Sequence, residues 1–298
     1  MTIRLATRRS PLALAQASVV RDQLLALGHD AVLVEVVTEG DRDQTSSLAS
    51  LGGQGIFAVE VQRSVLRGDA DVAVHSAKDL PSATPEGLVI AAVPERRDPA
   101  DVLVGRALAG LGPGATIATG SPRRRALLAE RRPDLNFVEL RGNMAARVAT
   151  AGSRGVDSVV AAAAALERLG WLEQVAERLD PEWFTPQVGQ GTIALEARGA
   201  DVETRRVLEL LTNDDAWWSL EAERAFLAEL GGGCAVPVAA YARRDETGWC
   251  LTGLMAQPDG TRVTRHSARG VDAAQLGRDV ARVVRDDLGG GAFAGVRS

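Results

Sequence analysis

Over the first 95 residues short apolar runs alternate with helical ones: "IRLAT" (3–7), a helical run from Pro11 to Leu27, "AVLVEVV" (31–37), a helix near 57–67, "DVAVHS" (71–76) and "LVIAAV" (88–93). A parallel return between strands needs a crossover long enough to hold a helix, so this alternation predicts a largely parallel α/β sheet. A second run of the same kind begins near Asp101 with "DVLVG". It continues through "ATIATG" (115–120), a helix from Pro122, "NFVEL" (136–140), a helix after Asn143 and "VDSVVAA" (156–162), and reaches about Pro186. From "NDDAWWSLEAERAFLAELGGGCAVP" onward the pattern changes. A helix to Leu230 gives way to "VAAYARR" (238–244), "GWCLTGLMAQ" (248–257) and "TRVTRHSA" (261–268), joined by the turns "DETG" and "PDG", and a last helix covers 272–287. Hairpin-joined strands with one closing helix predict a small α+β domain. The chain therefore reads as three domains: 1–97 with 192–213, 98–191, and 214–298.

At 298 residues and 46% hydrophobic content the chain has ample core material for this plan. No apolar run approaches the roughly 20 residues that span a bilayer, and "MTIRLATRRS" has no apolar signal region, so the expected location is the cytoplasm with no membrane partner. A net charge of −5 argues against nucleic acid as partner, and the Arg-rich segments lack the interleaved aromatics that stack on bases. No long amphipathic helix asks for a partner, so a monomer is expected, and no metal is expected.

Basic charge is nonetheless focused. "LATRRSPLALA" (5–15) and "IATGSPRRRALLA" (117–129) both place Ser-Pro after a strand and open a helix. Ser10 and Ser121 are candidate N-caps, with Pro11 and Pro122 at the first helical position. Helix starts present unpaired amides and the positive dipole end, and here Arg8, Arg9, Arg123 and Arg124 stand beside them, which suits an anionic ligand held between two similar lobes. "LRGNMAAR" repeats the arrangement with Arg141, Gly142, Asn143 as a cap and Arg147 one turn on. Several guanidiniums suit a ligand with several carboxylates, since each can hold one bidentately. The competing reading of "SPRRRALLAERRPDL" is a solvated helix face.

"VAVHSAKDLPS" contains Lys78, the one lysine among 34 basic residues. The segment falls where a parallel strand should end, the usual place for functional groups in such sheets. A continued strand would turn Ser76 and Lys78 one way, His75 and Asp79 the other. The Lys78–Asp79 step could be a surface pair; equally, lysine offers a compact charge and a movable pKa, and Asp79 an acid or base. Cys234, in "LGGGCAVP", follows a helix in a glycine loop that lets another group approach the sulfur, and is either chemical or packed. Cys250, inside an alternating strand, reads as a packing thiol. "TPQVGQGTIALE" (185–196) is a linker, or a hinge whose Gln190 reaches the site. Residues 38–55, rich in Gly, Ser and Asp, read as a lid-like loop.

Taken together, "IRLATRRSPLALAQA", "GGQGIF", "DVAVHSAKDLP", "TGSPRRRALLAERRPDL", "LRGN" with Arg147, "VGQG" and "GGGCAVP" resemble the porphobilinogen deaminase family, in the family's order and over residues 3 to about 240. The resemblance implies two lobes built like type II periplasmic binding proteins plus a small α+β C-terminal domain. It also implies a dipyrromethane cofactor held by a thioether to Cys234, on which four molecules of porphobilinogen are joined with loss of ammonia to give a linear tetrapyrrole. Residue by residue, Asp79 and Arg8 match catalytic positions, with the Asp79 carboxylate beside the pyrrole N–H. Arg8, Ser10, Arg141, Arg147 and Arg168 match positions that hold substrate carboxylates. Lys78, Ser121, Arg123, Arg124, Asn143 and Gln190 match the cofactor-binding positions. The chain departs from many relatives at Ser50 and Gln54, where they carry lysines, and at Glu39. Two rival readings are a small-molecule binding protein of the same two-lobed build, which needs no role for Cys234, and a Schiff-base lyase using Lys78, which borohydride would trap.

Overall fold

The computed structural model describes residues 1–37, 58–153, 155–231 and 237–293; Cys234 and the loop expected over 38–55 lie outside them. In chain order the strands are β1 (Ile3–Arg8), β2 (Ala31–Val36), β3 (Val72–Ser76), β4 (Leu88–Ala92), β5 (Asp101–Gly105), β6 (Thr116–Ala118), β7 (Asn136–Val138), β8 (Ser158–Ala162), β9 (Val175–Arg178), β10 (Ile193–Arg198), β11 (Val238–Asp245), β12 (Gly248–Ala256) and β13 (Val263–Arg269). They fall into two compact units, Met1–Arg97 with Gly191–Trp218, and Asp98–Gln190 with Ser219–Ser298.

The first unit is built on a five-stranded sheet in the order β2-β1-β3-β10-β4. β1 runs parallel to β2 and β3, whereas β10 runs antiparallel to both of its neighbours, β3 and β4. The sheet is thus largely parallel, as the alternation suggested, with one reversed strand, and the second half of "TPQVGQGTIALE" is no linker but that inner strand. The Pro11–Ala26 helix buries Ala17, Val20 and Leu24 on one face, where they meet Ile3, Leu5, Val72 and Leu195 in one apolar cluster. On the other face the Val59–Leu66 helix packs Val61 and Val65 against Ala6 and Ala73. Each leucine buried this fully contributes roughly 2 kcal/mol.

The second unit repeats the plan in the order β7-β6-β8-β5-β9, with β6 parallel to β7 and β8 and β5 antiparallel to β8 and β9. Both sheets therefore place their first parallel strand second in line and insert one reversed strand beside the third. The C-terminal domain is a three-stranded antiparallel sheet, β11-β12-β13, closed by the Ala273–Arg282 helix. Ala239, Leu254 and Ala256 from this sheet join Leu103, Leu127, Val160 and Phe184 of the lobe in one apolar cluster, which is why the two make a single unit. The fold class expected from the sequence, two α/β lobes with a small α+β domain, is the one observed. Cys250 is buried in β12, as a packing thiol should be.

Candidate active site

In each lobe the candidate residues collect at one edge of the sheet. Parallel strands β1 and β3 end at Arg8 and Ser76, and the reversed strand β10 begins at the same edge, since Ile193 pairs with Ser76. Ser10 caps the helix that follows β1, accepting a hydrogen bond from the Ala13 N–H at 3.3 Å, with Pro11 at the first helical position. After β3 the extended pattern stops. A single 3-10 turn, Ala77–Asp79, replaces it, so the alternation of side chains expected through Asp79 ends at Ser76. His75 is buried with its Nε2 3.2 Å from the buried Glu196 carboxylate but not hydrogen-bonded to it, and that carboxylate accepts from Gln62 Nε2 at 2.8 Å.

The turn is held from two sides. The Ala77 N–H donates to the Thr192 carbonyl at 3.0 Å, and Gln16 Nε2 donates to Ser76 Oγ at 2.8 Å. Lys78 and Asp79 are both half-buried on it, and the Asp79 carboxylate has no hydrogen-bond or ion-pair partner among the described residues. A fixed backbone with an uncommitted carboxylate is what a proton-transfer or cation-stabilising group requires.

The second lobe holds most of the candidate cations, with Arg8 and Lys78 on the first. Ser121 caps the Pro122–Arg131 helix, accepting from the Arg124 N–H at 3.4 Å, and Asn143 caps the short Met144–Val148 helix, accepting from the Ala146 N–H at 3.0 Å. Between Arg141 and Asn143 the chain turns at Gly142, whose φ of +92° only glycine adopts without strain. Arg147 Nε donates back to the Gly142 carbonyl at 2.8 Å, and Arg141 lies 3.3 Å from Glu139. Arg168 closes the Ala163–Arg168 helix that follows β8.

Sequence reasoning missed the residue at the centre of this lobe, Asp101, which is fully buried at the start of β5. Because β5 is reversed, its first residue pairs with Ala162, the last of β8, and so reaches the edge where the parallel strands end. Arg123 Nη2 donates to one Asp101 oxygen at 2.6 Å; Arg124 donates to the other from Nη2 at 2.6 Å and Nε at 3.0 Å; Gln190 Nε2 donates to it at 3.0 Å. Arg123 also reaches the Thr185 carbonyl at 2.7 Å, Arg124 the Val160 carbonyl at 2.9 Å and Gln190 the Pro99 carbonyl at 2.7 Å. Burial alone would raise the Asp101 carboxyl, but the two guanidiniums, with hydrogen bonds from Arg123 and Gln190, outweigh it and hold the group at about 2. Two cations against one anion leave one net positive charge. Arg123 is only 4% exposed, and its Nε has no hydrogen-bond partner among the described residues. An acidic residue heading an apolar strand was the one signal in the sequence that pointed to Asp101.

The donor set is made of guanidinium and amide N–H groups, and it fits a ligand whose polar arms are carboxylates. Among the described residues no group of His, Cys, Asp or Glu could hold a metal ion, and no helix is long and apolar enough to cross a membrane. The fold and these edges define a two-lobed α/β protein with a guanidinium-rich rim on the second lobe and an uncommitted aspartate on the first.

A family model described as "Porphobilinogen deaminase, dipyromethane cofactor binding domain" matches residues 3–206, and one described as "Porphobilinogen deaminase, C-terminal domain" matches residues 217–286. Similar proteins include the porphobilinogen deaminase of Bacillus pumilus, 40% identical over 294 residues, covering 96% of this chain and 94% of that one. That of Shouchella clausii is 42% identical over 299 residues, with 98% and 96% covered. Among solved structures, the methionine-binding protein MetQ is 12% identical with a TM-score of 0.44, covering 78% of this chain and 95% of that one. The chain belongs to the porphobilinogen deaminase family, enzymes of tetrapyrrole biosynthesis also called hydroxymethylbilane synthases.

Proposed function

We propose that this chain joins four porphobilinogen molecules head to tail, releasing ammonia and giving linear hydroxymethylbilane, and that it is primed by a dipyrromethane group bound through a thioether to Cys234. The match of residues 3–206 to the family's cofactor-binding domain carries this reading. When bound, that group supplies a tethered pyrrole end to which the first substrate carbon is joined. Its carboxylate arms suit Lys78, Ser121, Arg124 and Asn143, whereas Arg123 and Gln190, matched by the sequence to the same group, are buried behind them and act through Asp101.

Asp79 holds the substrate pyrrole N–H, stabilises the positive charge that develops as ammonia departs, and accepts the proton lost after the new carbon–carbon bond forms. The pinned Ala77–Asp79 turn supports this role, because a carboxylate carried on a fixed backbone has less freedom to lose when substrate binds. Arg8, Ser10, Arg141, Arg147 and Arg168 bind the acetate and propionate arms of incoming substrate. Lys78 then serves as a compact cation and not as a Schiff-base nucleophile.

The reading is tested by supplying porphobilinogen to the purified protein and counting products. The expected yield is four ammonia molecules for each linear tetrapyrrole. Consumption without that ratio, or none at all, removes the assignment.

A further inference from the structure

Two adjacent arginines meeting one buried carboxylate invite the question of why the acid is there. A rim that needed only positive charge to attract an anion would be stronger without it, since Asp101 cancels one of the two cations. The geometry gives it a different use. Asp101 is 0% exposed, and its two oxygens are divided between the guanidiniums, one to Arg123 and one to Arg124. One further donor of each guanidinium is held by a backbone carbonyl, Thr185 for Arg123 and Val160 for Arg124. Arg124, whose side chain is 11% exposed, is thereby fixed in one rotamer at the rim. Gln190 completes the cluster, tying Asp101 to Pro99.

We propose that Asp101 is a positioning residue for the cofactor: its carboxylate sets the direction of Arg123 and Arg124 so that the rim accepts a carboxylate arm at one defined place, and this order outweighs the attraction lost by cancelling a charge. The proposal rests on the function proposed above. It touches neither substrate nor reacting atoms.

The sign of one substitution separates positioning from charge. Asp101→Asn keeps the shape and raises the local net charge from one to two. Positioning predicts that the folded variant is purified with about tenfold less of the two-pyrrole mass increment than wild type, the scale seen when a supporting partner behind a ligand contact is removed. Asp101→Glu should recover part of it. Equal or greater occupancy in Asp101→Asn overturns the proposal. If Asp101→Asn does not fold, Arg123→Met is compared with Asp101→Asn/Arg123→Met, which removes a buried cation and a buried anion together. Lower occupancy in the double variant supports positioning, and equal or higher occupancy overturns it. If wild type itself carries no increment, the functional reading has failed and not this one. Phenylglyoxal labelling with peptide mass mapping then decides: Arg124 should be modified about tenfold faster without Asp101 than with it, by the same scale, and an unchanged rate overturns the proposal.

Discussion

A carboxyl buried among apolar side chains ordinarily takes up a proton, yet Asp101 keeps its charge because two guanidiniums and an amide reach it at hydrogen-bond distance. This has a consequence for acid stability. Its value of about 2 in the fold lies below the ordinary 3.8, so the ionised form favours folding above about pH 4, and that contribution disappears as pH falls through 2. The contribution is on the order of 2 kcal/mol. Urea unfolding of wild type and Asp101→Asn should therefore show a stability gap that narrows between about pH 4 and pH 2; a constant gap would contradict the assignment of the charge. Asp79 poses the opposite case, a half-buried carboxylate without a partner among the described residues. Asp79→Ala is expected to unfold at the same urea concentration as wild type while slowing ammonia release at least about 10²-fold. The sequence made Lys78 and Asp79 conspicuous, since a sole lysine followed an apolar strand. It hid Asp101, because an acid at a strand start looks like an ordinary strand boundary until the pairing with Ala162 is known.

At the scale of elements, what was legible was what local chemistry decides. Ser10, Ser121 and Asn143 each cap the helix that Ser-Pro or Gly-Asn announced. What was not legible depended on distant partners. β10 reads "IALEAR", good helix-forming residues that become a strand only because β3 and β4 flank it on either side. β9, "VAER", is a half-exposed edge strand whose alternation is too short to notice. Tertiary closeness also fixes Gly277 in the last helix: a Cβ there would run into the Ala222 carbonyl oxygen and lie 2.8 Å from the Ala225 Cβ. Although alanine is the better helix former, Gly277→Ala is predicted to destabilise the protein by about 1–3 kcal/mol through overpacking. Chemical denaturation checks this, and a stabilised variant would mean that this helix and the Asp214–Glu229 helix do not meet so closely.

At the scale of the molecule, the same strand order is built twice from one chain, and in both sheets the reversed strand lies outside its lobe's continuous βα run. β10 returns to the first sheet after the second is complete, and β5 enters the second sheet before its first parallel strand. This arrangement makes the alternation of the first 95 residues readable as a lobe while hiding the strand that completes it. The C-terminal sheet shares its apolar cluster with the second lobe, so its loss would uncover Leu127 and Phe184 as well as its own core. The central functional claim concerns Cys234, which the sequence singled out and which lies outside the described residues. Intact mass spectrometry of the freshly purified, active protein tests it directly. The account predicts a mass above that of the chain by two linked pyrrole units, and the bare chain mass for Cys234→Ser. The bare mass in active wild-type protein would contradict it.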